Sequence, residues 1–167
     1  KQAALDLAIR EARADVLLFT DADCVVPEGW AADMGSRFAD PEVGAVLGRV
    51  RLPEGRGFLA RFQAFEQPLI NQYNLAPVGL GGAFGCFGNN LAVRREAVLA
   101  VGGFRGLGYS VTEDTTLLTA IRDLGGWKVG ACVSATGTVT TEAMPDWRSY
   151  VNQHTRWNAG AIHARDW

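Results

Sequence analysis

Asp21 and Asp23 stand one residue apart at the end of the apolar run Val16-Leu17-Leu18-Phe19, and their type and spacing suggest chemistry most directly in this chain. Two carboxylates held close repel each other unless a cation lies beside them, and hard oxygen ligands suit Mg²⁺ or Mn²⁺ carrying substrate phosphates. On an extended backbone, positions two apart point the same way, so the pair can address one ligand together. The bland alternative is that both carboxylates open the turn that continues into Pro27-Glu28-Gly29. A second pair, Glu113-Asp114, follows a glycine-containing stretch, although acidic residues in a first helical turn also complement the helix dipole. Near the chain end Gln153, Arg156 and Trp157 stand at i, i+3 and i+4, on one face of a predicted helix. An Arg beside an indole and an amide suits phosphate and sugar rings, and ordinary helix packing with a snorkelling Arg is the alternative.

The elements that must position these residues alternate between helix and strand. Residues 2 to 13 read as a helix leading into a strand at 16 to 20, whose unbroken apolar run fits a strand buried on both faces of a parallel sheet. Ligands of such sheets bind beyond the carboxyl ends of strands, where Asp21 and Asp23 fall. Pro27 opens a helix that Asp40-Pro41 ends, and residues 43 to 50 read as one strand. Phe58, Leu59, Phe62, Phe65, Leu69, Ile70 and Tyr73 form a helical apolar stripe. It is expected to pack into the core, with membrane-surface contact as the alternative. The glycine-rich run 79 to 88 is not a dinucleotide loop, because its third glycine comes one residue late and no strand precedes it. Its glycines permit close backbone approach or left-handed turns. A strand at 91 to 93 and a short helix at 94 to 101 follow. Then come a helix with Thr112 as N-cap, a strand at 127 to 133, extended residues 134 to 142, and a last helix opened by Pro145-Asp146. The fold class this predicts is α/β.

With 167 residues, 48% of them hydrophobic, the chain is about one domain long and can bury one core. A net charge of −2 with scattered basic residues disfavours nucleic acid as a partner. Three widely spaced cysteines, Cys24, Cys86 and Cys132, suggest neither a disulfide framework nor a zinc site, which fits a reducing compartment. No apolar run reaches bilayer-spanning length and no signal peptide opens the sequence, so the piece itself is expected to be soluble.

Taken together, VLLFTDADC, GNNLAVRREAVLAVGGF, TED and QHTRW resemble, in identity and order, the motifs of family-two glycosyltransferases, particularly those with Gln-x-x-Arg-Trp. The resemblance covers nearly the whole chain. It implies a GT-A fold: a mixed, mainly parallel sheet flanked by helices, using a nucleotide-activated sugar and a divalent metal, Mg²⁺ or Mn²⁺. By the same resemblance Asp21 contacts the nucleotide-sugar and Asp23 binds the metal with the diphosphate. Asp114 is the general base, and Glu113, Gln153, Arg156 and Trp157 line the acceptor and pyrophosphate site. The implied reaction moves a sugar, from a UDP-sugar by preference, to a hydroxyl of a glycan or lipid, with inversion.

The sequence also departs from the family. The strands that would recognise the nucleotide base are expected before Lys1, and the family's usual Asn is replaced by Asp6. Residues 1–167 therefore read as one catalytic domain shortened at its N-terminus. Spanning segments outside this chain would tie the parent to the cytoplasmic face of a membrane. A non-catalytic domain that binds a nucleotide or glycan for regulation or assembly is the rival reading. A nucleotidyltransferase is a weaker one, since no basic phosphate loop is visible.

Overall fold

The computed structural model describes residues 1–163. Helix α1 (Gln2–Glu11) leads into β1 (Val16–Phe19), followed by α2 (Trp30–Ser36), β2 (Val43–Gly48), β3 (Val50–Arg51) and α3 (Phe58–Leu75). The second half adds β4 (Leu91–Arg94), α4 (Arg95–Ala100), α5 (Gly103–Leu107), α6 (Glu113–Leu124), β5 (Lys128–Cys132), β6 (Val139–Thr140) and α7 (Trp147–His163). The main sheet has the order β1-β4-β2-β5. β4 runs antiparallel to both neighbours and β2 runs parallel to β5, so three of the four strands share one direction. The sheet is mixed α/β as the sequence predicts.

Alternation along the strands divides the core in two. Ala45, Leu47, Leu91 and Val93 face α1, α4, α5 and α6 through Ile9, Val98, Phe104, Leu117 and Ile121. Val46 and Ala92 point the other way, against Trp30 and Met34 of α2 and against Cys132 and Val139. β1 is only half-buried along its length, not buried on both faces, because among the described residues it pairs with β4 alone and forms an edge of the sheet.

Residues 43 to 50 do not form one strand. Arg49 interrupts them, and Val50 and Arg51 leave the main sheet to pair in parallel with Val139 and Thr140. Buried Asn90 holds this divergence. Its side chain accepts from Trp30 Nε1 at 3.0 Å and donates to the carbonyls of Arg49 at 2.6 Å and Gly137 at 2.8 Å, while its own carbonyl accepts from Gly48 N at 2.9 Å. Gly48 has to be glycine, since a Cβ there would collide with the Asn90 amide. One side chain thus fixes the ends of β2 and β4 and the loop before β6.

Helix α3 departs furthest from the expectation. Its apolar stripe does not enter the core: Phe58 is 75% exposed and Phe65 71%, and Leu69 and Tyr73 are exposed as well. The buried face is made of amides, Gln63, Gln67, Asn71 and Asn74. Asn71 accepts from Val50 N at 3.0 Å and donates to Val50 O at 2.8 Å. Gln63 closes the same two-bond ring on Met144, at 2.8 and 3.0 Å. Short β3 and the segment before α7 carry backbone groups with few strand partners, and amides satisfy these where leucines would leave them orphaned.

Candidate active site

The sites singled out in the sequence converge on one open cleft of about 1310 Å³, lined by Asp21, Asp23, Glu113, Asp114, Gln153, Arg156 and Trp157 among others. Asp21 and Asp23 reach it from the end of β1, but not on extended backbone. The chain turns there, with Cys24 N donating to Asp21 O at 3.1 Å. The turn reading and the ligand reading of this stretch are therefore compatible. Asp23 is exposed, and among the described residues its carboxylate is met only by the Cys24 thiol at 3.6 Å, a weak donor. No three His, Cys, Asp or Glu side chains among the described residues cluster as a complete metal cage. An under-coordinated hard carboxylate beside a cleft fits Mg²⁺ or Mn²⁺ that completes its shell with phosphate oxygens and water.

A residue that the sequence reading passed over joins the two acidic motifs. Lys1 Nζ lies 2.8 Å from Glu113 Oε1 and 3.6 Å from Asp21 Oδ1. Partial burial pulls its pKa down. The hydrogen bond to Glu113 and the charges of Asp21, Glu113 and Asp114 outweigh that pull and leave it raised. Helix α1 is held in place by buried Asp6, whose Oδ2 meets Arg10 Nε at 3.0 Å and Arg105 Nε at 3.2 Å. Asp6 therefore stands on an anchor between α1 and α5 rather than in the cleft.

Glu113 and Asp114 form the first turn of α6, where Thr112 is the N-cap residue but makes no capping hydrogen bond through its side chain. Desolvation by burial, reinforced by the neighbouring Glu113 charge, pushes the Asp114 pKa up against the opposing hydrogen bond from Thr115 N. The glycine-rich loop passes directly over this carboxylate. A Cβ on Gly88 would lie 2.5 Å from Asp114 Oδ2, and one on Gly85 would lie 2.8 Å from Asn74 Oδ1. Close backbone approach, not left-handed turning, is what these two glycines supply, since neither has a positive φ. Arg122 of α6 holds the loop by donating to Ala83 O at 2.6 Å.

Helix α7 is preceded by Asp146, which accepts from Ser149 N at 2.9 Å. The helix crosses the α6 turn closely enough that buried Gly160 leaves no room for a Cβ against Thr112. Its bond to α3 runs through residues with no motif to mark them. Tyr150 Oη donates to the Glu66 carboxylate at 2.9 Å, and His154 Nε2 lies 3.4 Å from Glu66 Oε2. Burial and then the Glu66 contact push the Tyr150 hydroxyl up to about 12. Tyr150, His154 and Trp157 pack in a row of mutually tilted rings, with centroids 4.0 and 4.9 Å apart. Glu66, Tyr150 and His154 all line the cleft. An i, i+4, i+7 aromatic row on α7 was the signal that could have found Tyr150 and His154, and no such signal marks Glu66 on α3.

The profile of glycosyl transferase family 21 matches residues 1–165. The chain is 29% identical over 161 residues to a beta-monoglucosyldiacylglycerol synthase of Synechocystis sp., covering 96% of this chain and 33% of that protein. It thus spans about a third of the length of this curated relative. Among solved structures it is similar to a mannosyltransferase from Pyrobaculum calidifontis in complex with GDP-Man and Mn²⁺. That match has a TM-score of 0.75 at 24% identity, over 98% of this chain and 42% of that one. Similarity to mannosyl-3-phosphoglycerate synthase from Rubrobacter xylanophilus is looser, with a TM-score of 0.55 at 17% identity over 98% and 50% of the two chains. These structural likenesses bear on the fold, which is that of nucleotide-sugar transferases. The motifs resemble those of family-two glycosyltransferases, and the matching profile is that of another family of the same GT-A type: the chain belongs to glycosyl transferase family 21.

Proposed function

We propose that this chain is the catalytic domain of a glycosyltransferase that moves a sugar from a nucleotide-diphosphate donor, a UDP-sugar by preference, to a hydroxyl of a lipid or glycan, with inversion. The observation that carries the reading is the Asp114 carboxylate, desolvated and raised in pKa, in one cleft with Asp21, Asp23 and the α7 row. A base that removes a proton from an attacking hydroxyl works best with its pKa moved toward the working pH, and burial moves it that way. Asp114 takes the role of base. Asp21 and Asp23 hold the donor, and Gln153, Arg156, Trp157 and Glu113 hold the pyrophosphate and acceptor. A divalent cation held by Asp23 would neutralise the leaving diphosphate. The acceptor favoured is a membrane-borne hydroxyl at the cytoplasmic face, since the Synechocystis relative is named as a glycolipid synthase. No helix among the described residues is long and apolar enough to cross a membrane, so the parent's attachment would rest on other segments.

The reading is tested in the full protein with UDP-glucose and GDP-mannose as donors and diacylglycerol vesicles as acceptor. Transfer is scored by labelled lipid and the product anomer by NMR. Release of nucleotide without any glycosylated product, or no turnover of either donor, would overturn it. Calorimetry with UDP in the presence and absence of Mn²⁺ tests the role of Asp23. One carboxylate makes a weak cation site by itself, so metal and nucleotide should bind together, and Asp23→Asn should abolish the metal dependence. Equal UDP affinity with and without Mn²⁺ in the parent would contradict it.

Gly88→Ala addresses the base separately. The added methyl would collide with Asp114 Oδ2 and crowd its Cγ and Cβ, so the carboxylate has to shift. A misplaced base costs about 10²-fold in rate, while the melting temperature should fall only by roughly the few degrees of a mildly overpacked site. Normal turnover in Gly88→Ala would mean that the carboxylate position does not limit the reaction.

A further inference from the structure

Helix α3 is amphipathic with its faces reversed. The amides turn inward, and Phe58, Phe65, Leu69 and Tyr73, at i, i+7, i+11 and i+15, form one line along its outer side, each at least 60% exposed. Trp147, the first residue of α7, widens the line, with its ring centroid 6.3 Å from that of Phe58 and 6.1 Å from that of Phe62. Apolar residues exposed singly are ordinary, but a continuous aromatic surface marks an interface. The line ends at the cleft: Tyr73 lines it, and so does Phe84, itself exposed on the glycine-rich loop. Arginines border the aromatics. Arg56 and Arg61 near the start of α3 and Arg148 beside Trp147 are all exposed, and none makes a salt bridge among the described residues. Of the acids on the same segments, Glu66 is held by Tyr150 and His154 and Asp146 by Ser149, which leaves Glu54 and Glu142.

We propose that this face of α3, with Trp147, seats on the surface of a phospholipid bilayer and turns the mouth of the cleft toward it. The residue types choose lipid. Phe58 and Phe65 supply apolar body, while Tyr73 and Trp147 join an apolar ring to a polar tip, the form that suits the headgroup boundary. Arginine lays its stem along the apolar surface and carries its guanidinium to the lipid phosphates. A protein segment or a second copy on this face would have to pair each desolvated arginine with a carboxylate of its own, whereas a bilayer offers phosphates everywhere. The direction of the line agrees. It leads past Tyr73 into the cleft that holds Asp114, so a membrane-borne hydroxyl enters without crossing water. With buried amides on its other face, the helix lies in the plane of the interface. Segments outside this chain would still attach the parent, and this face sets the tilt of the domain.

The acceptor route rests on the transferase reading, whereas the contact itself is measured without turnover. In the full protein reconstituted into phosphatidylcholine vesicles, an environment-sensitive fluorescent amino acid replaces Phe65, or Glu96 as the control. Glu96 is exposed on α4 just beyond Arg94, which pairs with Val16 at the end of β1 remote from Asp21. Lipid with a nitroxide in its acyl chain should quench the probe at position 65 at least about twofold and leave the probe at position 96 bright. Equal quenching at both positions, or none at position 65, would overturn the docking. A probe at position 65 that is shielded from water but not quenched by lipid would reveal a protein cover and overturn it too. Phe65→Glu is the second variant. An exposed side chain contributes little to stability, so the melting temperature should stay within about 2 °C of the parent, with UDP affinity unchanged. The kcat/KM for diacylglycerol in the vesicles should fall about tenfold, the value of one partly buried aromatic ring. An unchanged kcat/KM would overturn the orientation of the cleft toward lipid. If the parent transfers to no acceptor, the transferase reading fails by itself and the quenching alone decides the docking.

Discussion

Asp114→Asn is expected to lower sugar transfer by about 10²–10⁴-fold, the usual contribution of a general base, while donor-nucleotide affinity stays near its parent value. The base acts on the acceptor hydroxyl in the transition state, so its loss falls on kcat rather than on donor binding. The pH dependence has a definite sign. Desolvation raises the Asp114 pKa above 3.8, so the ascending limb of the rate profile should lie above that of an ordinary aspartate and disappear in the Asn variant. A carboxyl whose folded pKa is raised favours the folded state when protonated, and stability is lost as pH rises from the unfolded value through the folded one. At neutral pH the ionised side chain is thus mildly destabilising, and Asn should not lower the melting temperature. Near-normal turnover in Asp114→Asn would move the base to Glu113 or elsewhere. A large loss of UDP affinity would mean that Asp114 serves the donor.

Replacing the Asn90 amide is expected to have the largest effect on stability of any single change considered, with Asn90→Leu as the test. The substitution keeps a comparable volume but strands the Trp30 indole N–H and the carbonyls of Arg49 and Gly137, all bonded by the Asn90 amide in the parent. Unsatisfied buried groups cost about 1–3 kcal/mol each, so a loss of roughly 3–5 kcal/mol follows even after some relaxation. For a domain of this size that corresponds to a fall of about 6–20 °C in melting temperature, readable by differential scanning calorimetry. Because Asn90 also fixes the loop before β6, transfer should decline with stability. Asn90→Asp keeps the acceptor for Trp30 but sets a buried, unpaired carboxylate oxygen against the two carbonyls, so it should melt no higher than the Leu variant. A variant that melts within about 2 °C of the parent would show that water replaces the amide.

The site's reagents were visible in the sequence as residue types, but turn formation, helix-dipole pairing and helix packing gave each of them an ordinary use that spacing alone did not exclude. Their convergence was legible only because four motifs in one order resemble a family, since periodicity alone does not bring residues 21, 114 and 156 together. The apolar runs of 43 to 47 and 91 to 93 likewise foretold the strands. They could not foretell that β3 leaves the sheet at Arg49, because that departure is decided by Asn90, which is distant in sequence from Gly137 and Arg49.

Helix α3 shows the limit most clearly. Its hydrophobic periodicity is real, and the sequence alone determined that a long amphipathic helix would form over Phe58–Leu75. Which face turns inward was settled by the unsatisfied backbone of Val50 and Met144, segments that need amide partners more than apolar cover. Lys1 and Glu66 escaped notice for the same reason, and the run 79 to 88 did not tell what Gly88 would approach. Lysine, glutamate and glycine are common residues whose roles come from what stands opposite them: Asp21 and Glu113, Tyr150 and His154, the Asp114 carboxylate. Sequence specified the elements and the reactive groups, which depend on local periodicity and chemical type. Tertiary structure decided burial, partners and the perturbed Asp114 pKa, because desolvation and hydrogen bonding depend on neighbours that are close in space and far apart along the chain.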